Sequence, residues 1–254
     1  MRVVGIDLAA SPASTGVVVL EPEGSRWAAR RIGGAPDDDA LVALAEGAVA
    51  IGVDAPLGWP DAFVEAVTAH HRFEPWTGTT DRRPLTHRLT DGVTKEVTGR
   101  YPLSVSADLL GVVAMRAALL QRRWADEAWA GVAAPRDGSG MLSETYPAAA
   151  FAAWGIECRG YKARRRPEES TTVRASIVRT IEAATGRWLD LGDLPDDMVA
   201  DDHLLDALVC ALVAVAVRTG STSWPPGDAV DVARREGWIH IPTDPLDHLR
   251  PPAR

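Results

Sequence analysis

The chain has 254 residues, 46% hydrophobic and 24% charged, with a formal net charge of −8. That mixture is ordinary for a globular protein and supplies ample core material. The acidic balance excludes attraction of nucleic acid through the overall field, so any such binding must rest on a local basic patch or on metal ions.

In chain order, residues 2–9 read as a first strand and "ASTGVVVLEPEG" as a second, ending in the turn Glu21-Pro22-Glu23-Gly24. "SRWAARRIGG" reads as a third, closed by Gly33-Gly34, and these short connections suit an antiparallel meander. "DDDALVALAEGA" predicts a short helix with acidic residues at its start. "AVAIGVDAPLG" follows as a fourth strand, parallel to a neighbour through a right-handed crossover.

"WPDAFVEAVTAHH" predicts a helix, whereas residues 72–104 show little periodicity and read as a long loop of a functional or mobile kind. "SADLLGVVAMRAALLQRRWADEAW" predicts a long helix capped by Ser106. "GSGMLSETYPAAAFAAWG" predicts a strand running into a helix with Pro147 in its first turn. "ESTTVRASIVRTIEAATG" and the very apolar "DDHLLDALVCALVAVAVRTG" predict two further helices. "EGWIHIP" is a final strand candidate, and "DPLDHLRPPAR" reads as a tail.

No targeting segment is expected. The longest apolar stretch, Ala207 to Val217, is far short of the ~20 residues of a membrane span. Cys158 and Cys210 form neither a disulfide framework nor a zinc spacing. A cytoplasmic protein without membrane contact is the expectation.

Several carboxylates do not fit their surroundings. Asp7 sits among Val3, Val4, Ile6 and Leu8, and Asp54 ends the apolar run from Ala48 to Val53. Both fall at or near the carboxyl ends of strands placed as parallel neighbours, the side where open α/β sheets bind ligands. The alternative for each is an Asx-turn or a loop cap. Asp201 and Asp202 suit N-caps, a role favoured for Asp201. Asp206 lies beyond cap reach, among Leu204, Leu205, Ala207 and Leu208, and is expected to be buried or to line a cleft. Asp202, His203 and Asp206 share a helix face, a donor set suited to Mg²⁺ or Mn²⁺. Glu144 ends the short strand "MLSE" and is expected to join the same sheet edge. Carboxylates converging in one pocket cannot all ionise without a cation, and two divalent ions would neutralise them.

"GIDLAAS…TGVVVL", "GVDAPLGWP", "ETYPAAAF", "GYK" and "HLLDALVCALVA", in this order over roughly residues 2 to 240, resemble the DUF429 family. That family is a set of predicted nucleases of ribonuclease-H-like fold, related to Holliday-junction resolvases. The resemblance implies one α/β domain over residues 1–254. Its mixed five-stranded sheet would have the first three strands antiparallel and be flanked by helices. A helical or loop insertion over approximately 59–130 would separate strands four and five. It also implies a two-metal acidic site using Mg²⁺ or Mn²⁺. Asp7, Asp54, Glu144 and Asp206 are then the catalytic carboxylates, and Asp7, Asp54, Asp202, His203 and Asp206 the metal ligands. Asp54 stands where resolvase-like enzymes usually carry glutamate. Resolvase-like relatives also suggest a homodimer.

The clearest basic run is "RGYKARRR" at 159–166. Lys162, Arg164, Arg165 and Arg166, with Arg88 from "RLTD", are the candidates for contact with DNA or RNA phosphates, a solvated loop being the alternative. Trp59, Trp76 and Trp224 lie in loop contexts where bases can stack, although core or surface packing explains most tryptophans. P-loop, dinucleotide-binding, zinc-protease and serine-hydrolase signatures do not occur. The leading expectation is a metal-dependent nuclease. The rivals are a non-catalytic binding protein on the same fold and an actin-like phosphotransferase, the latter lacking a second glycine-rich nucleotide loop.

Overall fold

The computed structural model describes residues 1–251 except 77, 79 and 164. Its centre is a mixed sheet of six strands in the order β5-β4-β1-β2-β3-β6. β1 (Arg2–Asp7), β2 (Gly16–Glu23) and β3 (Arg26–Arg31) form the expected antiparallel meander. α1 (Asp38–Ala45) begins at Asp37, whose side chain accepts the Ala40 amide at 2.9 Å, and it carries the chain over to β4 (Ala48–Asp54), parallel to β1. α2 (Asp61–His71), α3 (Arg83–Thr86), α4 (Leu89–Thr98) and α5 (Leu110–Arg123) precede β5 (Leu142–Glu144), which is parallel to β4. α6 (Pro147–Ala153) and α7 (Pro167–Thr185) follow. Then come β6 (Leu189–Asp190), α8 (Leu194–Ala200), α9 (Asp202–Arg218) and α10 (Val230–Glu236).

The sheet has two apolar faces because side chains alternate along each strand. Val4, Ile6, Val17, Val19, Ile51 and Val53 pack with α1, Leu120 and Trp124. Val3, Val18, Leu20 and Ala50 face α9 and α7. α9 is buried from Leu204 to Val217, which is why it reads as apolar on every side. It lies directly on the strands because Gly5 and Gly52 carry no side chain. A Cβ at either position would overlap a carbonyl oxygen of α9, that of Ala207 or of Cys210.

Five expectations need correction. The sheet has six strands rather than five; β6 is two residues long and pairs with Trp27 and Ala28 of β3, too short to leave a periodic signal. The segment 72–104 contains α4, whose buried residues are Thr90, Asp91 and Thr94, so no apolar stripe announces it. Its signals were Asp91, which accepts the Arg88 amide at 2.8 Å, and Gly99 with φ 74° closing the helix. The long helix starts at Leu110, not after Ser106, and changes to a π-helical turn at Trp124–Ala128. No side chain caps it; Ser104 instead holds the preceding turn, accepting the amides of Ser106 at 3.2 Å and Ala107 at 3.0 Å. "EGWIHIP" makes two isolated bridges, Ile239 to Glu144 and Pro242 to Thr222, instead of a strand, and the supposed tail buries Leu246 and Leu249 in the main core.

Candidate functional site

β1 and β4 are adjacent and parallel, and their register places Asp7 directly beside Asp54. Alternation puts both on the α9 side of the sheet, in phase with Gly5 and Gly52. α9 starts just beyond this edge. Asp201 caps it by accepting the His203 amide at 3.0 Å. One turn later Asp206 is fully buried. Carboxylate oxygens of Asp7, Asp54 and Asp206 all lie within 4.8 Å of one another. The triad therefore joins two strand ends to one helix, with intervals of 47 and 152 residues that no local pattern encodes.

Each member has different company. His203 Nδ1 lies 2.6 Å from Asp7 Oδ2, and this hydrogen bond, with the negative charge of Asp7, raises the imidazole pKa. Asp206 accepts the Tyr161 hydroxyl at 3.1 Å and pairs with the Lys162 ammonium. Burial lifts the Asp206 pKa to about 7; Lys162 pulls it down and Asp7 pushes it up. Asp54 accepts no hydrogen bond from any described residue. Burial, then Asp7, raises its pKa well above the usual carboxylate range, against the pull of Lys162. Lys162 is held firmly protonated by Asp206, Asp54 and Asp7 despite its partial burial.

Asp7, Asp54 and Lys162 open into a cavity of ≈ 280 Å³. Its other walls include Pro56, Pro102, Leu103, Leu110 and Tyr146. The donors fit a hard divalent cation: they are oxygen atoms only, they crowd one another, and Asp54 has no donor of its own. The triad could hold such an ion.

Glu144 lies outside the triad but lines the same cavity, at the sheet edge where it was expected. β5 pairs Glu144 with Val53, not with Asp54, so its side chain leaves the opposite face of the sheet. There it accepts Arg88 Nη2 at 2.6 Å and Nη1 at 2.8 Å, and the Leu57 amide at 3.0 Å. Burial raises its pKa and Arg88 opposes that rise. Arg88, expected as a phosphate contact, also lines this cavity. It is buried, and it donates further to Asp91 Oδ1 at 3.0 Å and to the Glu236 carbonyl at 3.1 Å.

Asp202 is half-buried in the first turn of α9, outside the triad. Among the described residues of the basic run, only Lys162 is paired with the triad. Arg165 is exposed, Arg166 pairs with Glu169 at 3.0 Å, and Arg164 lies outside the described residues. None of Trp59, Trp76 and Trp224 lines the cavity.

Two contributors were not anticipated. Tyr161 packs edge-on against Phe151 with its hydroxyl aimed at Asp206. Arg174 of α7 donates to the Tyr161 carbonyl at 2.7 Å and to the Val199 carbonyl at 2.7 Å, tying the Tyr161–Lys162 turn to the end of α8. An arginine in phase with Ile177, Val178 and Ile181 was the available signal for it.

A family model described as a protein of unknown function (DUF429) matches residues 5–230. The chain belongs to this family. The matched span contains all three carboxylates of the triad and their neighbours Lys162 and His203, so the site is a feature of the DUF429 portion of the chain. No curated protein and no solved structure matches the chain.

Proposed function

We propose that this DUF429 protein is a divalent-metal-dependent nuclease that hydrolyses phosphodiester bonds. The observation that carries the reading is the buried triad Asp7, Asp54 and Asp206, which gathers three carboxylates where the chain supplies too little positive charge to neutralise them. The strand order β5-β4-β1-β2-β3, with β1 to β3 antiparallel, supports a ribonuclease-H-like sheet extended by β6, with α2 to α5 as the insertion.

In this reading Asp7, Asp54 and Asp206 hold two ions, Mg²⁺ or Mn²⁺. Bound there, the ions would neutralise the phosphate and supply a water nucleophile for in-line attack. The protein's own side chains do the remaining work. His203 occupies one oxygen of Asp7 and so fixes the direction of the other. Tyr161 and Lys162 orient Asp206 in the same way. Lys162 stays cationic at neutral pH and faces the cavity, where it complements a phosphate oxygen. Pro102, Leu103 and Leu110 limit the access of bulk water.

The test is cleavage of labelled DNA and RNA with Mn²⁺ or Mg²⁺ by wild type and by Asp7→Asn, both checked for folding by circular dichroism. Metal-dependent cleavage that disappears in Asp7→Asn is expected. Cleavage that survives in Asp7→Asn, or that ignores chelator, overturns the assignment.

A further inference from the structure

Beside the acidic cavity lies a second one of ≈ 480 Å³, and the two share Tyr146 and Lys162 as a common wall. The second is lined by Thr98 and Arg100 from the end of α4 and by Cys158 and Arg159 from the turn before Lys162. Both arginines are exposed and neither guanidinium pairs with a carboxylate among the described residues, while Glu157, which also lines the cavity, accepts the Arg159 backbone amide at 2.8 Å. The half-buried Tyr146 ring stands between the cavities, and Leu103 forms an exposed apolar rim at the first.

We propose that the substrate is an unpaired nucleic-acid strand, its scissile phosphate beside Lys162 and its next nucleotide in the cavity lined by Arg100 and Arg159. This rests on the nuclease reading and deepens it. Two of the three carboxylates are sunk: Asp206 has no exposed surface and Asp7 is buried, with Lys162 and the 102–110 segment over them, while Asp54 is half-buried. A phosphate on a rigid duplex cannot descend past that rim, whereas an unpaired strand can turn a single phosphate inward. Cations that track the backbone and an aromatic ring for a base are the recurring parts of a single-strand groove. Here they are Lys162, Arg100 and Arg159 with Tyr146. A duplex footprint neutralises several phosphates at once, more than these three cations can match.

The experiment is fluorescence anisotropy in Mg²⁺ with a labelled 12-mer, unpaired and as a blunt duplex of the same sequence. Wild type, Arg100→Glu/Arg159→Glu and the charge-matched Arg187→Glu, at the opposite edge of the sheet, are compared. The unpaired strand is expected to bind about tenfold or more tightly than the duplex. The double variant should weaken strand binding about tenfold or more, and Arg187→Glu by less than about twofold. If the double variant does not fold, Arg159→Gln alone provides the same comparison. Equal binding of duplex and strand, binding of neither, or strand binding indifferent to Arg100 and Arg159 overturns the proposal. Hydrolysis of bis(4-nitrophenyl) phosphate with Mn²⁺, measured in parallel, reports on the nuclease reading by itself. Hydrolysis without strand preference removes only the substrate assignment. Strand preference without hydrolysis of any diester keeps the groove and removes the nuclease.

Discussion

Two groups of buried carboxylates lie on opposite sides of one sheet edge, and their chemistry differs. Glu144 and Asp91 are sealed by Arg88, and Glu144 also accepts a backbone amide. This cluster joins the exit of β4, the start of α4, β5 and the end of α10. Asp7, Asp54 and Asp206 have Lys162 and His203 nearby, yet the Asp54 carboxylate accepts no hydrogen bond among the described residues and the pKa of Asp206 is lifted to about 7. A cluster saturated by an arginine fork holds a fold together. One left short of donors beside a cavity is suited to an incoming cation.

The largest effect should come from breaking the sealed cluster. Arg88→Met leaves two buried carboxylates uncompensated and should cost about 3–5 kcal/mol in urea unfolding. A loss below about 1 kcal/mol would mean that Arg88 does not seal it.

The triad should respond in the opposite direction. The Asp206 pKa in the fold is about 7 against an ordinary 3.8, so ionisation costs the folded state stability. That stability is fully present below pH ~4 and is lost as pH rises through 7. Metal-free Asp206→Asn should therefore be more stable than wild type at pH 8, by about 1–3 kcal/mol, with the gain fading towards pH 4. Mn²⁺ should raise the melting temperature of wild type and not of the variant. A variant less stable than wild type at pH 8 would place Asp206 among sealed carboxylates.

His203→Ala should weaken Mn²⁺ binding about 10–100-fold by calorimetry, because Asp7 loses its orienting partner. His203→Gln, which keeps a donor, should recover most of that loss. Unchanged affinity in His203→Ala would leave the histidine as a helix-surface residue only.

The smallest effect is on pH dependence. A cation must displace the Asp206 proton, so Mn²⁺ affinity should rise by up to about tenfold per pH unit below 7 and level off above it. Calorimetry in buffers of different ionisation enthalpy should show proton release near pH 6.5. A flat profile would mean that the triad is already ionised before metal arrives.

Much of this was legible in the chain itself, wherever the cause is local. Alternation and short turns define β1 to β3, a Pro-stopped apolar run defines β4, and the all-round apolar pattern of α9 announces a buried helix. Asp7, Asp54 and Asp206 stand out because each interrupts an apolar context that no carboxylate enters without compensation. Asp201 was readable as a cap for the same local reason. What tertiary structure decided was company and phase. Glu144 looked equivalent to Asp54, but the β4–β5 register put it one residue out of step and on the other face. Arg88 looked like a surface cation until the return of α10 enclosed it. Only the close seating of α9 on Gly5 and Gly52 brings Asp206 within 4.8 Å of the two strand aspartates. Local sequence sets what a residue needs, and the long-range packing of strands and helices sets which partner meets that need.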